Sequence, residues 1–274
     1  MISYRNQKQI VIGLTTVLII LALVLIGRNI FKPKPTCFDN KQNQNEDAID
    51  CGGPCLACDL RDLKPLVIEN TYILDYKLKG HDLVAKIFNP NTKYGLTGIQ
   101  GHFTLTNRNG EALRIDLDEP FYILPGEEKI IAKTKALADN NTFEPVSVRF
   151  DVDSNISFSD WKKVPAAVSN TGDVLELVGL KMKYDNAKKA SPVSITTDLV
   201  NRSTLNYKRA FVDVMLCDKK TGQPLSFNQI YLDNVTTEDM RGVPTMVWRE
   251  SLPLGATVCY RKAHTDVFSV DNRY

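Results

Sequence analysis

The chain has 274 residues, of which 43% are hydrophobic and 24% charged, and its formal net charge is +2. These values are typical of a folded protein with room for two domains, and they exclude wholesale disorder. So small a net charge offers no basic face to nucleic acid, and we expect no nucleic-acid partner.

An uncharged apolar run lies near the N-terminus, at residues 10–26. As a helix that rises ~1.5 Å per residue, it would be long enough for a short bilayer crossing. A buried core helix is one alternative, but this run is apolar on every face and has basic residues on both sides. A cleaved signal peptide would end at small residues, whereas GRNIFKPKP follows this run. We therefore predict a signal-anchor with the membrane as partner, made of a tail at 1–9 and a transmembrane helix at 10–27.

The charges around this helix do not choose its orientation. Arg5 and Lys8 precede it, and Arg28, Lys32 and Lys34 follow it, so the positive-inside rule is nearly balanced. A cysteine cluster that forms disulfides belongs on the oxidising side of a membrane. We therefore expect a single-pass protein with a cytoplasmic N-terminus and an extracytoplasmic head.

A predicted Cys-rich neck at 28–62 contains Cys37, Cys51, Cys55 and Cys58. Three chemistries suit these residues: two disulfides, a four-thiolate zinc site, or a redox-active Cys55-x-x-Cys58 pair. We favour two disulfides, because a segment this small has no hydrophobic core and needs covalent closure. Four cysteines allow three pairings, and the sequence does not choose among them.

The neck resembles a short Cys-rich motif of bacterial and other extracellular proteins, C-x-D-G-x-x-N-x-x-E-T-D-x-D-C-G-G-x-C-x-x-C. The matching positions are Cys37, Asp39, Asn43, Glu46, Asp50, Cys51, Gly52, Gly53, Cys55 and Cys58. Asn40, Asp47 and Ala48 depart from the motif. The resemblance implies an exported, disulfide-bonded module and no particular activity.

Four side chains of this neck form a candidate calcium site: Asp39, Asn43, Glu46 and Asp50. Calcium prefers carboxylate and amide oxygens, and disulfides would hold the loop around an ion. Ala48 stands where the motif has another carboxylate, which weakens such a site. A solvated polar loop with local turns explains the same residues, so both interpretations stay open, and calcium is the one cofactor that the sequence suggests.

Beyond residue 60, short strand-like segments recur without a long helical pattern, which predicts an all-β fold of two β-sandwiches. In domain 1, at 63–162, we expect strands at 67–76, 83–89, 98–107, 121–124, 130–135 and 146–150. In domain 2, at 174–274, we expect strands at 175–184, 193–201, 209–218, 229–232, 245–248 and 257–262. A linker at 163–173 would join the two domains.

The two halves also resemble each other. KIFNPNT around Asn89 parallels DLVNRST around Asn201, and Gly110 and Gly222 follow the two asparagines at the same spacing. Asparagine can bond local backbone where a strand bends, and glycine supplies the positive φ of a tight hairpin. We therefore expect one fold to occur twice.

Both copies resemble the FxLYD-type immunoglobulin-like domain of bacterial and archaeal envelope proteins. FTLTN at 103–107 and VMLCD at 214–218 stand where its signature would be. Thr106 and Cys217 replace the signature tyrosine, and Val214 replaces its phenylalanine. The resemblance implies two tandem immunoglobulin-like β-sandwiches, and it confers no catalytic site.

Strand alternation in the second copy puts Val212, Val214 and Leu216 on one face, which should be core. Cys217 and Cys259 also fall in predicted strands of this copy. In an oxidising compartment we expect a disulfide between them, and two buried thiols are the alternative.

The sequence contains no H-E-x-x-H, G-x-S-x-G, P-loop or dinucleotide motif. We therefore expect a non-enzymatic, structural or adhesive protein that presents its β-sandwiches to other envelope or surface proteins. Binding would use strand addition at a sandwich edge or the loops at one end. The alternative is an accessory subunit of a membrane secretion, pilus or transport assembly. In that case the small residues Gly13, Thr15, Thr16 and Ala22 would line a helix–helix contact.

Overall fold

A computed structural model describes residues 4–30, 36–76, 80–137, 143–153, 156–164, 174–184, 193–248, 252 and 255–274. The chain divides into two compact units, residues 1–62 and 63–274. Most of the predicted linker at 163–173 lies outside the described residues.

The first unit contains α1 (Tyr4–Ile30) and α2 (Cys58–Arg61). The large apolar side chains of α1 from Leu14 to Ile26 are all at least 54% exposed. Counted over the described residues, no helix contains an apolar stretch long enough to cross a membrane. Residues 10–27 are helical as part of α1, but they are not shown to be a membrane span, and the crossing of a bilayer stays a prediction.

The second unit is built from antiparallel strands, so the expected all-β architecture is confirmed. Its first half contains β1 (Val67–Tyr76), β2 (Gly80–Phe88), β3 (Tyr94–Ile99), β4 (Gly101–Asn107), β5 (Ala112–Asp116), β6 (Phe121–Ile123), β7 (Glu128–Leu137), β8 (Pro145–Val152) and β9 (Trp161–Lys163). Its second half contains β10 (Leu175–Tyr184), β11 (Val193–Asn201), β12 (Tyr207–Asp218), β13 (Pro224–Val235), β14 (Met240–Gly242), β15 (Met246–Trp248) and β16 (Ala256–His264).

Some strand predictions were wrong. The single strand expected at 98–107 is two strands, β3 and β4, which are separated at Gln100 and belong to different sheets. Gly98, inside β3, has a φ of 70° and lies where the pairing of β3 with β6 changes register, an irregularity that a regular strand at 98–107 would not contain. The prediction also missed β5, β9 and β14, of which β9 and β14 have three residues each and are too short to show a period of two.

The two halves have corresponding strand orders. In the first half, β1–β2–β7 form one sheet, and β5–β4–β8 and β6–β3–β9 form two more. In the second half, β10–β11–β14 form one sheet, in which β15 also pairs with β11, and β13–β12–β16 form the other. In each half, the first two strands form a sheet with a strand that comes later in the chain, β7 in the first half and β14 in the second. The hairpin between them, β4–β5 or β12–β13, pairs instead with a later long strand, β8 or β16. The repeat in the sequence is a repeat of strand order.

Each half has its own hydrophobic core. In the first, Leu83, Leu96, Phe103 and Leu105 are fully buried. In the second, Val212, Val214 and Leu216 are fully buried, which confirms the core face predicted for this strand. Burial of such side chains stabilises each half by about 1.5–3 kcal/mol per residue.

A third apolar cluster joins the halves. Leu74, Val84 and Ile130 of the first half pack with Met215, Cys217 and Phe227 of the second. β12 is therefore buried on both faces, because Val212 and Leu216 point into their own core while Met215 and Cys217 meet the other half. Strands covered on both faces read as continuous apolar runs, and this explains the run VMLC in β12.

Candidate functional site

All six cysteines form disulfides: Cys37–Cys55, Cys51–Cys58 and Cys217–Cys259. The expected disulfide bonding is confirmed, and the structure selects one of the three pairings open to the neck. No free thiol remains for the zinc alternative. Cys55 and Cys58 bond to different partners, so they do not form the bond that a redox Cys-x-x-Cys pair would make.

Two glycines of the neck permit this crossing of disulfides. Gly52 and Gly53 have φ values of 80° and 56°. A Cβ on Gly53 would lie 2.4 Å from the carbonyl oxygen of Asn45, and one on Gly52 would lie 2.2 Å from a carboxylate oxygen of Asp47. Only glycine fits both the backbone conformation and the space.

The predicted calcium ligands do lie together in the neck, where they organise its backbone. Asp50 accepts hydrogen bonds from the N–H groups of Asp39 and Asn40. Glu46, 6% exposed, accepts from the N–H groups of Asn43 and Asp50 at 3.1 and 3.2 Å. The side chain of Asn43 donates to Asp39 at 2.9 Å, and this bond holds the pKa of Asp39 below its ordinary value.

These carboxylates therefore act as caps for local N–H groups. Within the described residues, the one close cluster of metal-type side chains is Cys37, Glu46 and Cys55. Its two sulfurs are bonded to each other, so they offer no thiolate to a metal. Calcium at Asp39, Asn43, Glu46 and Asp50 stays a prediction.

A second polar cluster, which we term the interface cluster, lies between the two halves of residues 63–274. β6 and the start of β7 contribute Tyr122 and Lys129, while β12 and the end of β16 contribute Asp213 and His264. All four side chains are more than nine-tenths buried. Buried polar groups are costly unless they are paired, so their contacts decide what this cluster can do.

The partners of His264 assign its tautomer. Its Nε2 lies 2.9 Å from Asp213 Oδ2, an acceptor, so Nε2 carries the hydrogen. Its Nδ1 is then a lone-pair acceptor, and it receives the Tyr122 hydroxyl at 2.5 Å and the Lys129 ammonium at 3.2 Å. Gln229 donates to the other oxygen of Asp213 at 2.8 Å. A chain of hydrogen bonds thus runs from one half to the other.

An ion pair extends the interface cluster. Lys262 of the second half lies 2.9 Å from a carboxylate oxygen of Glu127 in the first, and it donates to the backbone oxygen of Glu128 at 3.1 Å. Glu127 also accepts from the N–H of Leu124 at 2.5 Å. Lys129 and Lys262 therefore lie near the carboxylates of Glu127 and Asp213, and the carboxylate of Asp266 also acts on Lys129 and Tyr122.

Burial shifts the titration of this cluster. It lowers the pKa of His264, and the neighbouring Lys129 ammonium lowers it further. Burial also lowers the pKa of Lys129 and raises the pKa of Tyr122 well above its ordinary value. Burial alone would raise the pKa of Glu127, but the ammonium groups of Lys129 and Lys262 bring it below its ordinary value. The favoured state pairs neutral His264 with a protonated Tyr122.

A cavity of about 360 Å³ adjoins the interface cluster and is lined by Tyr122, Lys129 and His264 among others. A larger cavity of about 570 Å³ lies in the first half, but its charged lining residues, Lys64, Asp151 and Asp153, are exposed or half-exposed. Convergent buried polar groups with shifted pKa values mark the better candidate site. The smaller cavity is therefore the candidate functional site.

From the sequence, none of the four residues of the interface cluster was singled out for function, and the cluster was missed. Its members are distant in the chain and share no spacing, so no motif could reveal them. One weak signal existed in Asp213, a charged residue inside the otherwise apolar run FVDVMLC. Another histidine, His102, lies outside this cluster, with its Nδ1 within hydrogen-bond distance, 3.1 Å, of Asp153 Oδ1.

Comparison with known proteins adds no relative: no protein-family model matches the chain, and no curated protein matches it significantly. Function is therefore inferred from the residues and their contacts.

Proposed function

We propose that this chain is a non-enzymatic, single-pass membrane protein that presents two immunoglobulin-like β-sandwiches outside the cell. The observation that carries the proposal is the order of its parts. An apolar helix with exposed side chains is followed by a neck closed by two disulfides and then by the β-rich unit. Disulfides persist in oxidising compartments, which favours a location beyond the membrane.

The exposed side chains of α1 support the membrane anchor. Large apolar side chains from Leu14 to Ile26 are open on every face of the helix, and water does not tolerate so continuous an apolar surface. Lipid would cover them, with the N-terminus in the cytoplasm. The corresponding strand orders of the two halves support the immunoglobulin-like assignment, because each half contains one antiparallel sheet built on its first two strands and another built on the hairpin that follows.

The interface between the halves supports a structural or adhesive role. An apolar cluster and a buried hydrogen-bonded cluster hold the halves together, which suits a stiff head that presents a surface to other envelope proteins. β5 and β13 lie at the ends of their sheets in the described strand orders, so either could add a strand from a partner.

Orientation is tested by fusing alkaline phosphatase, which is active only in an oxidising compartment, to the C-terminus of the full chain. High phosphatase activity supports the proposal. An inactive fusion, with a cytoplasmic reporter active at the same position, would place the head inside and contradict it.

The alternative, an accessory subunit of a secretion, pilus or transport assembly, uses the helix itself as a packing surface. Replacing residues 10–27 with an unrelated transmembrane helix separates the two roles. Partner capture by photo-crosslinkers on the exposed residues of β13, such as Tyr231, should survive the exchange if the helix is only an anchor. Loss of all capture in a correctly inserted chimera would favour the accessory subunit.

A further inference from the structure

The cavity beside the interface cluster has a polar inner wall and aromatic sides. Tyr122, Lys129 and His264 are 7%, 3% and 6% exposed and line it together. Its apolar lining includes Phe121, Phe211, Phe227, Ile131 and Ala132. At about 360 Å³, the cavity lies within the size range of small-molecule sites.

Hydrogen-bond donors outnumber acceptors at this wall. The Lys129 ammonium has three N–H groups and the Tyr122 hydroxyl has one. In the described part of the chain, the one acceptor that contacts both is His264 Nδ1, which has a single lone pair because Nε2–H faces Asp213. The Tyr122 ring, 3.4 Å from Lys129 Nζ, attracts the cation but accepts no strong hydrogen bond.

The surplus donors define the chemistry of a ligand. A buried ammonium gains most from an ionised acceptor, since charge-assisted hydrogen bonds are about twice as strong as neutral ones. Two acidic residues, Asp118 and Glu119, also line the cavity, and their repulsion grows with the negative charge of a ligand, so a single negative charge is favoured over two. The aromatic sides favour a flat apolar body.

We propose that this cavity binds a small monocarboxylate with an aromatic or compact apolar body. The carboxylate accepts from Lys129 Nζ, and the body packs against Phe121 and Phe227. Tyr122 remains bonded to His264, so binding leaves the chain of hydrogen bonds between the halves in place. This site goes beyond the proposed presentation of the head to protein partners and does not depend on it.

The test uses the full chain in a non-ionic detergent at neutral pH, with benzoate, benzyl alcohol and benzylamine as probes. Binding is followed by saturation-transfer NMR and calorimetry, and empty micelles are subtracted. Benzoate should bind saturably and at least tenfold more tightly than benzyl alcohol, and benzylamine should not compete with it. No saturable binding of benzoate, or equal binding of benzylamine, would overturn the proposal.

Variants locate the site. Lys129→Met should weaken benzoate binding at least tenfold, because it removes the ammonium. Lys86→Met is the matched control, since Lys86 lies on the neighbouring strand, pairs with Glu69 and Glu128, and does not line the cavity. It should change binding less than twofold.

Should Lys129→Met fail to fold, Ala132→Leu tests the same site, because it fills the cavity and leaves every charge in place. It should also weaken benzoate binding at least tenfold. Unchanged benzoate binding in a folded Lys129→Met or Ala132→Leu variant would place the ligand elsewhere and refute the site.

Discussion

Asn89 and Asn201 make equivalent hydrogen bonds at the ends of β2 and β11, at the same bend of the two halves. The side-chain nitrogen of each donates to backbone carbonyls: Tyr94 and Leu124 for Asn89, and Leu205 and Val235 for Asn201. The side-chain oxygen of each accepts the N–H two residues later, at 3.0 Å. Both residues are fully buried. The sequence prediction that these asparagines bond local backbone is confirmed.

Removing either asparagine should therefore destabilise the protein. Asn89→Ala or Asn201→Ala removes the hydrogen bonds to two carbonyls and one N–H. Leu124 keeps the N–H of Glu127 and Leu205 keeps the Ser203 hydroxyl, and each buried group left without another partner costs about 1–3 kcal/mol. We expect a clear fall in the denaturant midpoint of the full chain, measured by tryptophan fluorescence. Asn109→Ala, in an exposed turn, is the control and should shift the midpoint little. A midpoint as high as the control's would show that these bonds contribute nothing net.

Phe227 should stabilise the contact between the halves. It is 6% exposed and packs in the apolar cluster with Leu74 and Val84 on the other side. Phe227→Ala should cost about 3–5 kcal/mol, as for other buried phenylalanines. Phe158→Ala, at a position 53% exposed, should change the free energy of unfolding far less. Limited proteolysis would show whether the halves also separate, and equal effects of the two variants would contradict the buried interface.

The interface cluster should make stability depend on pH. Burial lowers the pKa of His264 from its ordinary value of 6.5, so the unfolded chain binds a proton at a higher pH than the folded chain does. The stability that depends on neutral His264 is thus complete above about pH 6.5 and is lost as the pH falls below it. A proton on Nδ1 would also oppose the donors of Tyr122 and Lys129.

The free energy of unfolding, measured between pH 7.5 and 5, should fall with a slope of up to about 1.4 kcal/mol per pH unit from this residue. His264→Gln keeps a donor for Asp213 and cannot take up a proton, so its profile should be flatter. Glu127 contributes to the pH dependence of the free energy of unfolding only at lower pH, because the fold lowers the pKa of this carboxyl below its ordinary value of 4.5. An identical slope in wild type and His264→Gln would exclude His264 as the source.

Gly53 should be essential to the neck. Alanine at this position would place a Cβ 2.4 Å from the carbonyl oxygen of Asn45 and would force a φ of 56° on a side-chain-bearing residue. We expect Gly53→Ala to yield mispaired cysteines in non-reducing peptide maps, with less Cys37–Cys55 and Cys51–Cys58. Gly110→Ala is the matched control, because its φ is 81° but nothing lies within 4 Å of the added atom. Native pairing in Gly53→Ala would show that the loop can move aside.

The local pattern of the sequence was enough to predict several features of this protein. Alternating apolar residues in short segments predicted the β-rich unit and its repeat. Successive side chains of a strand point to opposite faces, so a half-buried strand shows a period of two in its own sequence. The same reasoning found the core face of β12, because Val212, Val214 and Leu216 stand at every second position. Clustered cysteines predicted disulfides in the neck, although their spacing could not choose the pairing.

Other features depend on which surfaces meet in the folded chain. The second buried face of β12 exists only because the first half packs against it, and a single strand contains no signal for the face of a distant sheet. The interface cluster brings together residues of four strands, Tyr122, Lys129, Asp213 and His264. No spacing in the sequence could predict that they meet. Sequence by itself determined the class of fold, the repeat and the oxidised neck. Tertiary structure alone decided the disulfide pairing, because four neighbouring cysteines allow three pairings. It also decided the joined halves and the buried cluster between them, because both depend on contacts between residues far apart in the chain.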